Sequence, residues 1–202
     1  IANQGDFEGA AQRLEAARRI YRRLGDNPQQ GRVLLKMGNF LGHVNPQHGI
    51  SHILRALPLI DTRREPRLEV CAQHNLIHFL NDAGRPQQAA FELERARPLY
   101  RRFPDDLTQF RLRWLEGKIA RRLARSEEAK QSFRALAEEF RDRDFRHELV
   151  LVSLDLAETH VESGEKGAAA KLAREIVPIA EELGVDRYAR AARRLVASPR
   201  SQ

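Results

Sequence analysis

Cysteine is nearly missing: Cys71 stands alone among 202 residues, so no disulfide can close within the chain, and a reducing compartment suits it. Methionine and tryptophan also occur once each, and aromatics make up 6% of the residues. That is too few for a surface that stacks on bases. Lysine is scarce as well, occurring at positions 36, 118, 130, 166 and 171 only, so arginine supplies nearly all of the basic charge. A GC-rich genome produces such a skew as readily as a function does. No apolar run approaches the roughly 18 residues of a membrane span. No Gly-rich phosphate loop, nucleophile-elbow pattern or distinctive carboxylate pair is present, so no enzyme is expected and no cofactor is implied. The chain has no charged-then-apolar leader and begins with Ile1 rather than Met. The expectation is a soluble, cytoplasmic piece of a longer protein.

Acidic charge is also absent in places. The net charge of +7 divides into +4 over residues 1–66, zero over 67–106, +4 over 107–146, −6 over 147–186 and +5 over 187–202. Blocks of alternating sign favour oriented contacts over indiscriminate polyanion binding. Contact of this segment with nucleic acid is therefore not expected, and no per-repeat base-reading pattern is present.

A repeat is present. The stretch "GDFEGAAQRLEAARRIY" from Gly5 returns in much of its pattern as "GRPQQAAFELERARPLY" from Gly84. Small residues recur at Ala10, Gly49, Ala89, Ala129 and Ala169, spaced 39, 40, 40 and 40. Large apolar or further small residues follow at steps of four, three and four, which places them on one helical stripe. Two helices approach closely only where a side chain is short, so Ala or Gly belongs at the tight crossing. A second helix precedes each of the last four and is marked by Gly38, Ile77, Gly117 and Ala157. Turn signals such as Gly84-Arg85-Pro86 separate the helices, and Pro58, Pro98 and Pro178 are expected to bend them.

The unit is a helical hairpin stacked on its neighbours. The expected organisation is a single array: a half-repeat over 1–27, repeats over 28–66, 67–106, 107–146 and 147–186, and a capping helix over 187–197. Gly5 to Leu24 then reads as the second helix of a hairpin whose first helix lies upstream, with residues 1–4 as a frayed turn. The last helix carries an apolar stripe of Tyr188, Ala191, Ala192 and Leu195 under exposed Arg187, Arg190, Arg193 and Arg194.

These features resemble the tetratricopeptide repeat (TPR) family. Gly38, Gly117 and Ala157 stand at its helix-A small position, Gly5, Gly84 and Gly164 at its turn Gly, and Ala10 with Ala17 and Ala89 with Ala96 at its helix-B Ala pair. The units are about forty residues rather than the usual 34, like those of kinesin light chains and bacterial TPR sensor regions. The resemblance implies an all-α, right-handed superhelical α-solenoid. It also implies a protein-interaction scaffold that takes a peptide or partner protein, acidic in one reading, on its concave face. The alternative it implies is an effector-sensing domain of a bacterial transcription regulator, with a DNA-binding domain linked upstream.

First helices line the inner face of such an array. On this register the candidate contacts are Asn39, His43, His74, Asn75, His78, Arg111, Trp114, Lys118 and Arg122, with Leu35, Cys71, Asn81, Arg121, Leu154, Glu158 and Glu162 beside them. One TPR subclass grips a carboxylate with Lys and Asn. Asn39, Asn75 and Arg111 match three of those positions, but Leu35 and Leu115 occupy the other two, which leaves too few donors to offset desolvation of a carboxylate. His74 and His78 lie four apart on one helix face, a spacing that metal pairs use. Cys71 and His78 are about 10 Å apart along the axis, so one ion cannot take both. These side chains read as groove-lining polar groups, with Cys71 partly packed and no metal. Trp114 with Arg111, Lys118 and Arg122 forms a basic and aromatic stripe. It either anchors a ligand or packs between hairpins.

Overall fold

The computed structural model describes residues 4–197, with side chains described for residues 8–195. Among these residues ten α-helices follow one another: α1 (Gln4–Arg23), α2 (Asn27–Gly42), α3 (Pro46–Ala56), α4 (Pro66–Asp82), α5 (Pro86–Arg101), α6 (Asp106–Arg122), α7 (Ser126–Asp142), α8 (Arg146–Glu162), α9 (Lys166–Glu182) and α10 (Asp186–Ala197). Among the described residues there is no strand. Among the described residues no helix is long and apolar enough to cross a membrane. The chain divides into two compact units, Ile1–Phe103 and Pro104–Gln202.

Local chemistry starts and stops these helices. Asp26, Asn45 and Asp105 each accept a hydrogen bond from a first-turn N–H, of Gln29, Gln47 and Thr108 at 3.1, 3.0 and 3.2 Å, which satisfies donors that a helix start leaves open. Pro46, Pro66 and Pro86 open α3, α4 and α5, where a missing N–H costs nothing. Six of the helix ends share one geometry. After α6, Arg125 N–H reaches Ala120 C=O at 2.9 Å and Ala124 N–H reaches Arg121 C=O at 3.0 Å. The same pair of bonds recurs with Gly25, Gly84, Asp144, Gly164 and Gly184 in the Ala124 position. This Schellman turn requires a left-handed residue.

Ala124 and Asp144 adopt φ of 58° and 55° there, where a Cβ crowds the carbonyl. Ala124→Gly is therefore expected to stabilise the second unit by about 0.5–1 kcal/mol, read as a raised urea midpoint at unchanged slope. A lowered midpoint would show that Ala124 sits there without strain.

In the first unit each helix packs on the next in sequence, and α2 also touches α4. The second unit repeats the scheme from α6 to α10, with α6 on α8 and α8 on α10. The crossings are close where small residues recur. A Cβ on Gly38 would lie 2.7 Å from Ile53 Cγ1, and one on Gly117 would lie 2.6 Å from the Phe133 ring. The second-helix stripes are buried: Gly49, Ile53 and Ala56 on α3, Ala89, Leu93, Ala96 and Tyr100 on α5, Ala129, Phe133, Leu136 and Phe140 on α7, and Ala169, Ala173, Ile176 and Ala180 on α9. On α1 the matching Ala10, Leu14, Ala17 and Tyr21 are only partly covered. On α10, Ala189 and Ala192 are buried, with Tyr188, Ala191 and Leu195 packed beside them.

The three prolines sit differently in their helices. At Pro58 the α-helix gives way to a 3-10 turn over Leu57–Leu59, whereas α5 and α9 continue past Pro98 and Pro178. Gly5 and Asp6 lie inside α1, not in a turn before it. Of the frayed turn expected over residues 1–4, residues 1–3 lie outside the described residues.

Candidate functional site

In the first unit the first-helix face comes from α2 and α4. Asn75 Nδ2 donates to Asn39 Oδ1 at 2.7 Å, so the two amides bind one another across neighbouring first helices. His74 and His78 turn to different partners despite their spacing of four. His74 Nδ1 lies 2.9 Å from the Tyr100 hydroxyl of α5. His78 Nε2 lies 3.4 Å from Asp82 Oδ2 one turn on. His43 follows the last residue of α2 and is exposed. Its ring sits 6.4 Å from that of His78 and 5.5 Å, edge-on, from Phe79. Among the described residues no group of three His, Cys, Asp or Glu side chains is placed to hold a metal ion.

Some expected groove residues are elsewhere. Cys71 is exposed rather than partly packed. Leu35, Asn81 and Leu154 are buried, at 3%, 2% and 8% exposure, because their side of the helix turns into the hairpin. Leu115, which stands where the carboxylate grip needs a base, is buried too. Tyr100, Phe79 and Asp82 belong to the histidine cluster, and the helical spacing of the histidines did not point to them.

In the second unit the first-helix face comes from α6 and α8, and its basic stripe is met by an acidic one. Trp114 Nε1 donates to Asp155 Oδ2 at 2.6 Å. Lys118 Nζ lies 3.6 Å from the same oxygen and 5.6 Å from the Trp114 ring centroid. Arg121 reaches Asp155 at 3.5 Å, Glu158 at 2.8 Å and Glu162 at 3.0 Å. Burial opposes its charge, yet Glu158, Glu162 and Asp155 outweigh burial and hold the guanidinium above its ordinary pKa. Trp114 also packs against the core that holds Phe110, Phe133 and Phe140. It is thus both a packing residue and a donor on the face. Arg111 and Arg122 lie exposed on α6.

A second charged group ties α7 to the α8–α9 turn. The Lys130 side chain is 2% exposed, pairs with Glu127 and lies 2.8 Å from Glu165, which also meets His160. The Lys130 ammonium first, and His160 second, hold the Glu165 carboxyl below the usual carboxylate range. Each partner is satisfied, as buried charge requires, so this group is a structural clasp.

Alternating helices, a small residue at each crossing and polar first-helix faces define an all-α, TPR-like helical repeat. A Rap protein, solved in complex with the competence and sporulation factor, has the same fold: TM-score 0.75 at 18% identity, over 92% of this chain and 52% of that one. The chain thus spans about half the length of that protein, and at this identity the likeness is one of fold. No protein-family model matches the chain, and no curated protein matches it.

Proposed function

We propose that this chain is a protein-interaction scaffold that binds a peptide or partner protein along its first-helix faces. The observation that carries the reading is that both units hold partly buried polar side chains in place on those faces through hydrogen bonds to one another. Asn39 and Asn75 are locked together at 2.7 Å, and Trp114 is locked to Asp155 at 2.6 Å. Side chains already held in one geometry lose little freedom when a partner contacts their remaining faces and hydrogen-bonding atoms, which raises affinity for an extended chain. The complex of the Rap protein with a factor supports a binding role for this fold. On this reading Asn39, His43, His74, Asn75 and His78 contact the partner in the first unit, and Arg111, Trp114, Lys118 and Arg122 in the second. Asp155, Glu158 and Glu162 already neutralise Lys118 and Arg121, so the second-unit face suits a segment of mixed charge better than a uniformly acidic one.

Two variants test this. Trp114→Phe/Lys118→Gln/Arg122→Gln keeps the packing of the indole position and removes the donors, while Asn39→Ala/Asn75→Ala removes the amide pair. Each is expected to weaken retention of a co-purifying partner by about tenfold or more, because buried interface anchors carry at least ~1.4 kcal/mol, with far-UV circular dichroism unchanged. Equal retention by both variants would remove the faces from the site.

A further inference from the structure

The helices of the first unit are joined by short turns and each packs on the next, which makes successive helices run in opposite directions. The C-terminal ends of α1, of α3 with its 3-10 turn, and of α5 therefore lie at one edge of that unit. Each of these ends carries a pair of arginines: Arg22-Arg23, Arg63-Arg64 and Arg101-Arg102. All six are exposed. By the forty-residue period, the second-unit positions that answer Arg101-Arg102 are Arg141-Asp142 on α7 and Glu181-Glu182 on α9. The helix dipole favours a cation at a C-terminus. It does not account for this pattern, since α9 ends in two glutamates and Arg63-Arg64 lie beyond the helix.

The acidic groups beside the pairs are already engaged. Asp26 accepts the Gln29 N–H at 3.1 Å. Asp61 Oδ1 accepts the N–H groups of Arg63 and Arg64 at 3.2 and 3.1 Å, and its Oδ2 lies 3.5 Å from Arg64 Nε. Glu65 receives Arg32 Nε at 2.8 Å. Among the described residues Arg22, Arg23, Arg63 and Arg101 have no ion pair. At the α7–α8 end of the second unit Arg143 takes Asp106 and Glu139, and Arg146 takes Glu182, so there Arg141 alone lacks an ion pair among the described residues, whereas the first-unit edge displays Arg22, Arg23, Arg63 and Arg101 without one.

We propose that this edge of the first unit is a docking surface for an Asp- or Glu-rich segment of a partner protein. Guanidinium groups on successive hairpins offer a row of planar donors that match carboxylates in two-point contacts. The surface is distinct from the first-helix faces. It depends on the reading above only in taking the partner to be a protein.

The test uses the whole chain and a labelled peptide of alternating Glu and Ser, followed by fluorescence anisotropy at low and at physiological salt. The expected result is binding that weakens with salt and falls by about tenfold in Arg22→Gln/Arg23→Gln/Arg63→Gln/Arg101→Gln, with the thermal midpoint unchanged. The triple variant on α6 is expected to bind the peptide like the parent chain, so failure of the face reading and failure of this one are separable. No binding at low salt, or undiminished binding by the quadruple variant, would overturn the proposal. So would equal or tighter binding of a single-stranded RNA or a DNA duplex through the same four arginines, since the edge would then read phosphates.

Discussion

Phe133→Ala is expected to cost the second unit about 3–5 kcal/mol. Phe133 has no exposed surface and sits among Phe110, Leu136, Phe140, Leu149, Val152 and Leu156. Its ring fills the α6–α7 crossing, where the missing side chain of Gly117 makes room for it: a Cβ there would lie 2.6 Å from the ring. Truncation removes the transfer energy of the ring and leaves a hole bounded on one side by the α6 backbone at Gly117, which cannot fill it with a side chain. Trp114 is the only tryptophan and packs against this core, so its emission reports the second unit in a urea titration. A loss under about 1 kcal/mol would mean that the site closes over the hole and that the crossing is looser than described.

Gly49→Val is expected to cost the first unit about 2–3 kcal/mol, by overpacking rather than by a cavity. The new Cβ would stand 2.6 Å from Phe79 and 2.7 Å from the Cα of Gly42. The Phe79 ring could turn aside only into a buried position, since it is 1% exposed. The Gly42 backbone could yield only by parting α2 from α3. A better helix propensity offsets part of the loss. Gly9→Ala is the contrasting change. Nothing lies within 4 Å of a Cβ there, and a helical Gly→Ala is expected to gain about 0.5–1 kcal/mol. Thermal denaturation of both variants separates the explanations: a stabilised Gly49→Val would show that propensity, not the crossing, governs that glycine.

Much of the architecture was legible before any coordinates because it is written in local patterns. Steps of four and three place Ala89, Leu93, Ala96 and Tyr100 on one stripe whatever surrounds the helix. Gly38 and Gly117 marked close crossings because only a missing side chain permits them. The candidate site was legible in part. Asn39, Asn75 and Trp114 stood out as polar or aromatic positions on first helices, but their partners did not. Asn39 meets Asn75 36 residues away, Trp114 meets Asp155 41 away, and Lys130 meets Glu165 35 away. Such pairs depend on rotamers and on the rotation of one helix against another. A single residue's turn of about 100° moves a side chain from groove to core, as Leu35, Asn81 and Leu154 show.

By itself the sequence determined an all-α chain of paired helices with a forty-residue period, since helix pattern and turn chemistry are properties of neighbouring residues. Only the tertiary structure decided that the histidines diverge, that the basic stripe of α6 is answered by Asp155, Glu158 and Glu162 of α8, and that some arginines are neutralised while Arg22, Arg23, Arg63 and Arg101 are left facing water. Those outcomes depend on distances between residues far apart in the chain, which packing alone sets.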